Sequence, residues 1–133
     1  MSTPPESVDP AGLHVSVDRV IYQHLDHAPP DRPHCFVYFI SIHNHTKANI
    51  TIKGRKWVVT NGQGEITVLE GDGVVGQFPE ISPNDKFSYN SFHLIDTLTA
   101  SAEGSYLGID EAGLRVIARI PRFTMRVPEA HST

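Results

Sequence analysis

Apolar and polar residues alternate along most of this chain. Near the start, Leu13, Val15 and Val17 alternate with polar residues, and Val20 and Tyr22 continue the pattern in the opposite phase. Alternation with a period of two is typical of β-strands that bury one face, and a change of phase within a strand indicates a bulge. Because no segment sustains a period of 3.6 residues, we expect little helix.

Further strands are predicted after this first one. They cover residues 36–42, 50–60, 65–69, 86–92, 104–109 and 114–120. Asn61-Gly62 and residues 110–113 are typical hairpin turns, and Pro121 is expected to interrupt the pairing of the last strand before Phe123. A total of about seven strands at this spacing predicts an all-β sandwich, with a closed barrel as the alternative that strand count cannot exclude.

The 133 residues are enough for one domain with its own core. We expect that domain to span residues 12–128, between flexible tails at 1–11 and 129–133. A buried indole is a common anchor between packed sheets, so Trp57 is predicted to lie in the core. Four other residues are also expected to be buried: Ile40, Phe87, Tyr89 and Val116.

Charge and composition exclude several broad classes of function. The formal net charge of −4 argues against general nucleic-acid binding. No apolar run approaches the length of a membrane span. The N-terminal stretch lacks the charged start and apolar core of a signal peptide, and the single cysteine, Cys35, excludes an intrachain disulfide. We therefore expect a cytoplasmic protein.

Three glycines have the spacing G-x-G-x-x-G: Gly71, Gly73 and Gly76. A dinucleotide-binding loop with this spacing must be followed by a helix whose N-terminus faces the phosphate, and Pro79 and Pro83 prevent a helix here. Two interpretations remain. The glycines either allow a tight turn in a β-rich chain or expose backbone N–H groups that bind phosphate. Asp72 would repel a phosphate, which favours the first interpretation.

A second candidate feature is a set of arginines near the end of the chain. Arg115 and Arg119 alternate on one strand face, and Arg122 follows. Such a basic stripe could bind phosphate or an acidic partner, or it could protect an edge strand from aggregation. If the protein binds a phosphate-containing ligand, we expect these three arginines and the three glycines to hold it.

Histidine is abundant, with eight residues. His43 and His45 are two apart, so on a strand they share a face and form a usable pair for zinc or cobalt. One pair does not define a coordination sphere. A third ligand would have to come from a histidine elsewhere in the chain: His24, His27, His34 or His93. On this reasoning we predict no metal site and no cofactor.

The sequence gives little support to an enzyme. No serine lies in a G-x-S-x-G motif. Cys35 and His34 are neighbours on a predicted strand, so their side chains point to opposite faces and cannot form a catalytic pair. The carboxylates are scattered over predicted turns, where most are solvated or cap the backbone. We therefore predict a protein without catalytic activity.

Five short segments together resemble the ApaG domain. They are residues 55–64, 70–76, 81–89, 103–106 and 120–123. Their order and spacing agree with that domain over about residues 13–128, which is nearly the whole chain. One segment departs from the pattern. Residues 91–97 read Ser-Phe-His-Leu-Ile-Asp-Thr, where ApaG relatives usually carry a small residue followed by Gly-Cys-Pro.

The resemblance implies an immunoglobulin-like or fibronectin-type-III-like β-sandwich. ApaG relatives are stand-alone bacterial proteins, or domains appended to eukaryotic F-box proteins and to a polymerase-delta-interacting protein. That distribution implies an interaction module. The bacterial gene is often linked with cobalt resistance and magnesium efflux, and the family has no established catalytic residues.

The expected function is therefore a non-catalytic binding module that recognises another protein or senses a small ligand. The alternative is a phosphate- or nucleotide-binding protein that uses residues 71–76, linked to cobalt or magnesium homeostasis. For partners we expect a protein, and leave open a weakly bound phosphate-containing ligand and a homodimer. We expect neither nucleic acid nor a membrane as a partner.

Overall fold

The computed structural model of the chain describes residues 7–129, and this range contains eight β-strands and no α-helix. The strands are β1 (Leu13–Gln23), β2 (His34–Asn44), β3 (Ile50–Asn61), β4 (Ile66–Asp72), β5 (Glu80–Ile81), β6 (Asp85–Ile95), β7 (Thr99–Asp110) and β8 (Arg115–Arg126). The predicted all-β class is confirmed. The strand missed in the sequence is β5, whose two residues are too few to show alternation. The parts of the predicted tails at 1–6 and 130–133 lie outside the described residues.

The strands form two antiparallel sheets. The smaller sheet has the order β1-β2-β6, and the larger has the order β4-β3-β7-β8, with β5 pairing with the start of β3. Neither sheet closes on itself, so the molecule is a sandwich and not a barrel. Whether its topology is of the immunoglobulin or the fibronectin type stays a prediction.

The core lies between the two sheets. Trp57 is only 2% exposed and packs against the rings of Tyr38 and Phe123, which confirms its predicted role. Ile40 and Val116 are also buried, as expected.

Phe87 and Tyr89, which were expected to be buried, are half-buried and pack against the margin of the core. A hydrogen bond between the Tyr89 and Tyr106 hydroxyl groups joins the two sheets there.

Three bulges interrupt the strand registers. The first, at Asp18 in β1, agrees with the predicted change of phase. The second places Lys53 outside the pairing of β3 with β7. The third places Pro121 and Arg122 opposite the single residue Glu103. The predicted interruption of pairing at Pro121 is therefore confirmed, although β8 itself continues through this residue. A bulged residue is left out of the ladder, and the missing N–H of proline then costs no hydrogen bond.

The two lateral sides of the sandwich differ. On one side β1 lies beside β8 and closes the gap between the sheets. Val8, within the predicted N-terminal tail, also lies along β8. Its N–H donates to the carbonyl of Arg115 (2.9 Å), and its carbonyl accepts from the N–H of Ile117 (2.8 Å). On the other side, a cleft of about 480 Å³ lies between β4 and β6.

Candidate binding surfaces

The three glycines of the G-x-G-x-x-G spacing lie in a β-hairpin formed by residues 71–77, called here the glycine hairpin. Val74 and Gln77 exchange both of their backbone hydrogen bonds, with N···O distances of 2.8 and 2.9 Å. Val75 and Gly76 therefore form a two-residue turn, and their φ angles of 43° and 77° are those of a type I′ turn. Gly73, with φ of 61°, sets the entry to that turn.

Most polar backbone groups of the glycine hairpin are bonded within the protein. The N–H of Gly73 donates to the carbonyl of Lys53 (2.8 Å). The Arg55 guanidinium donates to the carbonyls of Asp72 (2.7 Å) and Gly73 (3.1 Å) and covers Gly71. A phosphate site needs converging N–H groups, whereas this side of the hairpin presents carbonyl oxygens that a guanidinium already contacts. These contacts favour a backbone-shaping role for the glycines.

The three candidate arginines lie on β8, at the opposite edge of the larger sheet from β4. Two strands separate β8 from β4, a span of about 14 Å. Arg119 pairs with Asp9 at 3.4 Å, and Arg122 donates to the Ser101 hydroxyl at 3.1 Å. Arg119 and Gly71 line the same open depression of about 750 Å³ on the outer face of the sheet. The structure does not bring the other glycines to the arginines, and a phosphate site there stays a prediction.

The two edges of the larger sheet are protected very differently. On β8, the arginines, the bulge at Pro121 and the contact with Val8 all hinder the addition of another strand. On β4, residues 66–69 contain no charge, proline or bulge. Ile66 is 66% exposed, Val68 50% and Leu69 47%. An edge strand with this composition is open to pairing with another chain.

The unpaired backbone groups of β4 can be assigned from its register. The Glu65 carbonyl accepts from Asn61, and the Gly73 N–H donates to Lys53, so both of these residues bond to β3. Hydrogen-bonded residues alternate along an antiparallel pair. The backbone N–H and C=O groups of Ile66, Val68 and Glu70 consequently point away from β3, toward the open edge.

The cleft beside this edge is lined by apolar side chains and by more acidic than basic ones. Ile66 and Leu69 of β4 line it together with Phe92 of β6, which is 55% exposed. The charged residues of the lining are Glu65, Asp96 and Arg32. Both carboxylates accept hydrogen bonds from the Asn61 side chain, at 2.8 and 3.1 Å, and therefore lie close together.

A cluster of three histidines lies on the outer face of the smaller sheet, and we call His14, His43 and His45 the histidine cluster. His14 is directly opposite His43 in the β1–β2 register, and their rings stack with centroids 4.5 Å apart. One ring nitrogen from each of the three residues lies within 4.8 Å of the others. The third member is His14, which was not among the predicted third ligands.

Sequence reasoning missed His14 because its meeting with His43 depends on the strand register. The available signal was the alternation of Leu13 and Val15, which places His14 on the face opposite to the core. Alternation identifies the face of a residue but not its cross-strand neighbour.

A chain of polar side chains continues from the histidine cluster. The Ser16 hydroxyl lies 2.8 Å from Nε2 of His43 and donates to the Asp18 carboxylate at 2.7 Å. Ser41 donates to the other oxygen of Asp18 at 2.5 Å. These hydroxyls, with Ser41 contributing most, lower the pKa of Asp18. The pKa of His43 is also lowered. Burial of the ring is the largest cause, and the neighbouring His14 is the second.

His93 has a different environment from these surface histidines. It is 5% exposed and packs edge-on against Trp57, with ring centroids 4.7 Å apart. Its Nε2 has no hydrogen-bond partner among residues 7–129. Burial lowers the pKa of His93 to about 4, so its imidazole is neutral at physiological pH. His93 is a core residue and lies outside the histidine cluster.

Within residues 7–129, no helix has the length and hydropathy required to cross a membrane.

Comparison with known proteins agrees with the segments that resemble the ApaG domain. The ApaG domain family matches residues 24–109. The proteins named ApaG from Citrobacter koseri and Salmonella arizonae are each 36% identical over 108 residues, which cover 81% of this chain and 86% of those proteins.

Solved structures give the same result. The X-ray structure of a structural-genomics target superposes with a TM-score of 0.82 at 30% identity, covering 89% of each chain. A crystal structure of a Bordetella pertussis protein described as ApaA superposes with a TM-score of 0.79 at 28% identity, covering 92% of this chain and 98% of that one. The chain belongs to the ApaG family.

Proposed function

We propose that this protein is a non-catalytic binding module that recruits a partner protein through the open edge of β4. The partner contributes an extended segment, which adds as a further strand beside β4 and inserts apolar side chains into the cleft between β4 and β6. The observation that carries this proposal is the contrast between the two edges of the larger sheet, of which only β4 lacks protection over residues 66–69.

The edge of β4 has the backbone groups and the exposed side chains that strand addition requires. The outward-facing backbone groups of Ile66, Val68 and Glu70 would give main-chain hydrogen bonds, which supply affinity in this mode of recognition. The exposed side chains of Leu69 and Phe92 would contact alternate side chains of the incoming segment, which supplies specificity.

Charge defines the partner segment further. The cleft carries two carboxylates, Glu65 and Asp96, against the single guanidinium of Arg32. Glu70 follows on β4. Electrostatic complementarity therefore favours an extended apolar segment flanked by lysine or arginine.

The test is selection of peptides from a displayed random library against the immobilised full-length protein, followed by titration of the selected peptides. We expect apolar peptides with basic flanks. Val68→Lys should weaken their binding by about tenfold or more, because it places a cation at the centre of the apolar edge. Hydrogen exchange of the Ile66, Val68 and Glu70 amides should slow when a peptide binds.

Val75→Lys is the matched control, since Val75 is 48% exposed and Val68 is 50% exposed, but Val75 lies in the glycine hairpin. It should leave peptide binding unchanged. Equal binding by wild type and Val68→Lys would overturn the proposal, and so would a selection that yields no binder. A dimer that separates into monomers in Val68→Lys would instead identify a second copy of this chain as the occupant of the edge.

A further inference from the structure

The histidine cluster has the geometry of an incomplete metal coordination sphere. Tetrahedral zinc with Zn–N bonds of about 2.0–2.1 Å separates its nitrogen ligands by about 3.4 Å. The three ring nitrogens already lie within 4.8 Å of one another. His14 and His45 are exposed, so their rings can rotate the remaining distance without disturbing the core.

Hydrogen bonding fixes the tautomer of His43. A serine hydroxyl has one hydrogen, and Ser16 donates it to the Asp18 carboxylate. The contact between Ser16 and His43 must then be donated by Nε2–H of His43. Nδ1 of His43 is then unprotonated, and an unprotonated ring nitrogen is the form in which imidazole binds metal.

The Asp18–Ser16–His43 chain is an outer-shell arrangement of the kind that orients metal-binding histidines. Ligating histidines in proteins usually donate their second ring N–H to a carboxylate, carbonyl or water. Here the carboxylate acts through one hydroxyl, and Asp18 is itself held by Ser41. The arrangement restrains one ligand, His43, while His14 and His45 remain adjustable.

We propose that His14, His43 and His45 bind a divalent first-row transition-metal ion such as Zn²⁺, with water in the remaining coordination position. Three imidazole ligands suit zinc, nickel and copper, and do not suit magnesium or calcium, which prefer oxygen ligands. Lys86 lies across from His43 on β6, and its positive charge repels a bound cation. The negative charge of Asp18 attracts the cation. The site is on the outer face of the smaller sheet, away from the edge of β4.

The test is calorimetric titration of the metal-free full-length protein with Zn²⁺ at neutral pH. We expect one saturable site in the wild type, and a loss of about tenfold or more in its affinity in both His14→Ala and His45→Ala. His27→Ala is the matched control, because His27 is an exposed histidine outside the cluster. It should change Zn²⁺ affinity by less than about twofold.

Ser16→Ala separates a positioning role from a ligand role. It should weaken Zn²⁺ binding by about tenfold while the site persists. Nuclear magnetic resonance of the imidazole nitrogens should show the Nε2–H tautomer of His43 in the metal-free wild type and a mixture of tautomers in Ser16→Ala. Equal Zn²⁺ affinity in wild type and His14→Ala would overturn the proposal, as would the absence of saturable Zn²⁺ binding or an Nδ1–H tautomer at His43.

Discussion

The glycine hairpin and the histidine cluster are opposites in what they show in the sequence and what they do in the fold. The hairpin has a spacing that resembles a phosphate-binding loop, yet its N–H and C=O groups bond mostly within the protein. The cluster shows only its pair His43 and His45 in the sequence, yet in the fold His14 joins them and three ring nitrogens lie together at the surface. The glycine spacing reflects the backbone conformation that the turn requires, whereas ligand binding depends on which side chains the strand register brings together.

The largest effect expected from this comparison is on the stability of the glycine hairpin. Gly73→Ala should lower the free energy of unfolding by about 4 kcal/mol, because its Cβ would overlap the carbonyl oxygen of Gln77 at a positive φ. Gly76→Ala, at a positive φ but with open space around it, should cost only about 1 kcal/mol. Urea unfolding of the two variants measures the difference. Equal losses would show that backbone conformation alone, without the close contact, explains the glycines.

The second effect is on the pH dependence of stability, which distinguishes the buried His93 from the exposed histidine cluster. Burial lowers the pKa of His93 to about 4, whereas its ordinary value is 6.5. The unfolded chain therefore takes up a proton first as pH falls. The contribution of neutral His93 to the free energy of unfolding is complete above about pH 6.5. As the pH falls from there to about 4, up to about 3 kcal/mol of that contribution is lost.

Unfolding measured at several pH values tests this assignment. His93→Phe should reduce the pH dependence between about 6.5 and 5, since the ring keeps its place beside Trp57 but cannot titrate, and the contribution of His43, whose pKa is also lowered, should remain. His14→Phe, in the exposed cluster, should retain it. If His14→Phe flattened the profile as much as His93→Phe, the acid sensitivity would belong to the surface cluster.

The smallest effect concerns nucleotides. We expect ATP, NAD and diadenosine polyphosphates to bind with dissociation constants above about 1 mM, because the hairpin presents carbonyls to Arg55 and Asp72 adds negative charge. Calorimetry of the wild type and of Gly76→Ala, which keeps the fold, measures this. Micromolar binding by the wild type that disappears in Gly76→Ala would return the hairpin to a phosphate-binding role.

Much of the fold could be predicted because alternating strands carry their own signal. The strand around Ile40, the hairpin at Asn61-Gly62 and the core position of Trp57 all follow from local pattern. The start of β7 could not be predicted in this way, and the strand begins five residues earlier than expected. Its first half consists of small and polar residues, such as Ala100 and Ala102, which bury against the core without apolar bulk.

The candidate surfaces were harder to predict, because they arise from contacts between distant segments. The pairing of His14 with His43 follows from a register across a long loop, and no local pattern encodes it. The exposure of Ile66, Val68 and Leu69 depends on β4 being an edge strand, which is a property of the strand order. The sequence pattern identified residues 65–69 as a strand but did not indicate that it lies at an edge.

The position of Trp57 has a practical consequence for spectroscopy. It is the only tryptophan in the chain, it is nearly enclosed, and the ring of His93 meets it edge-on. Its fluorescence should therefore be emitted at short wavelength in the native protein and shift to longer wavelength when the sandwich opens. A protonated imidazole quenches a neighbouring indole. The intensity of this one emission band should thus report the charge of His93 in the intact molecule, without any added label.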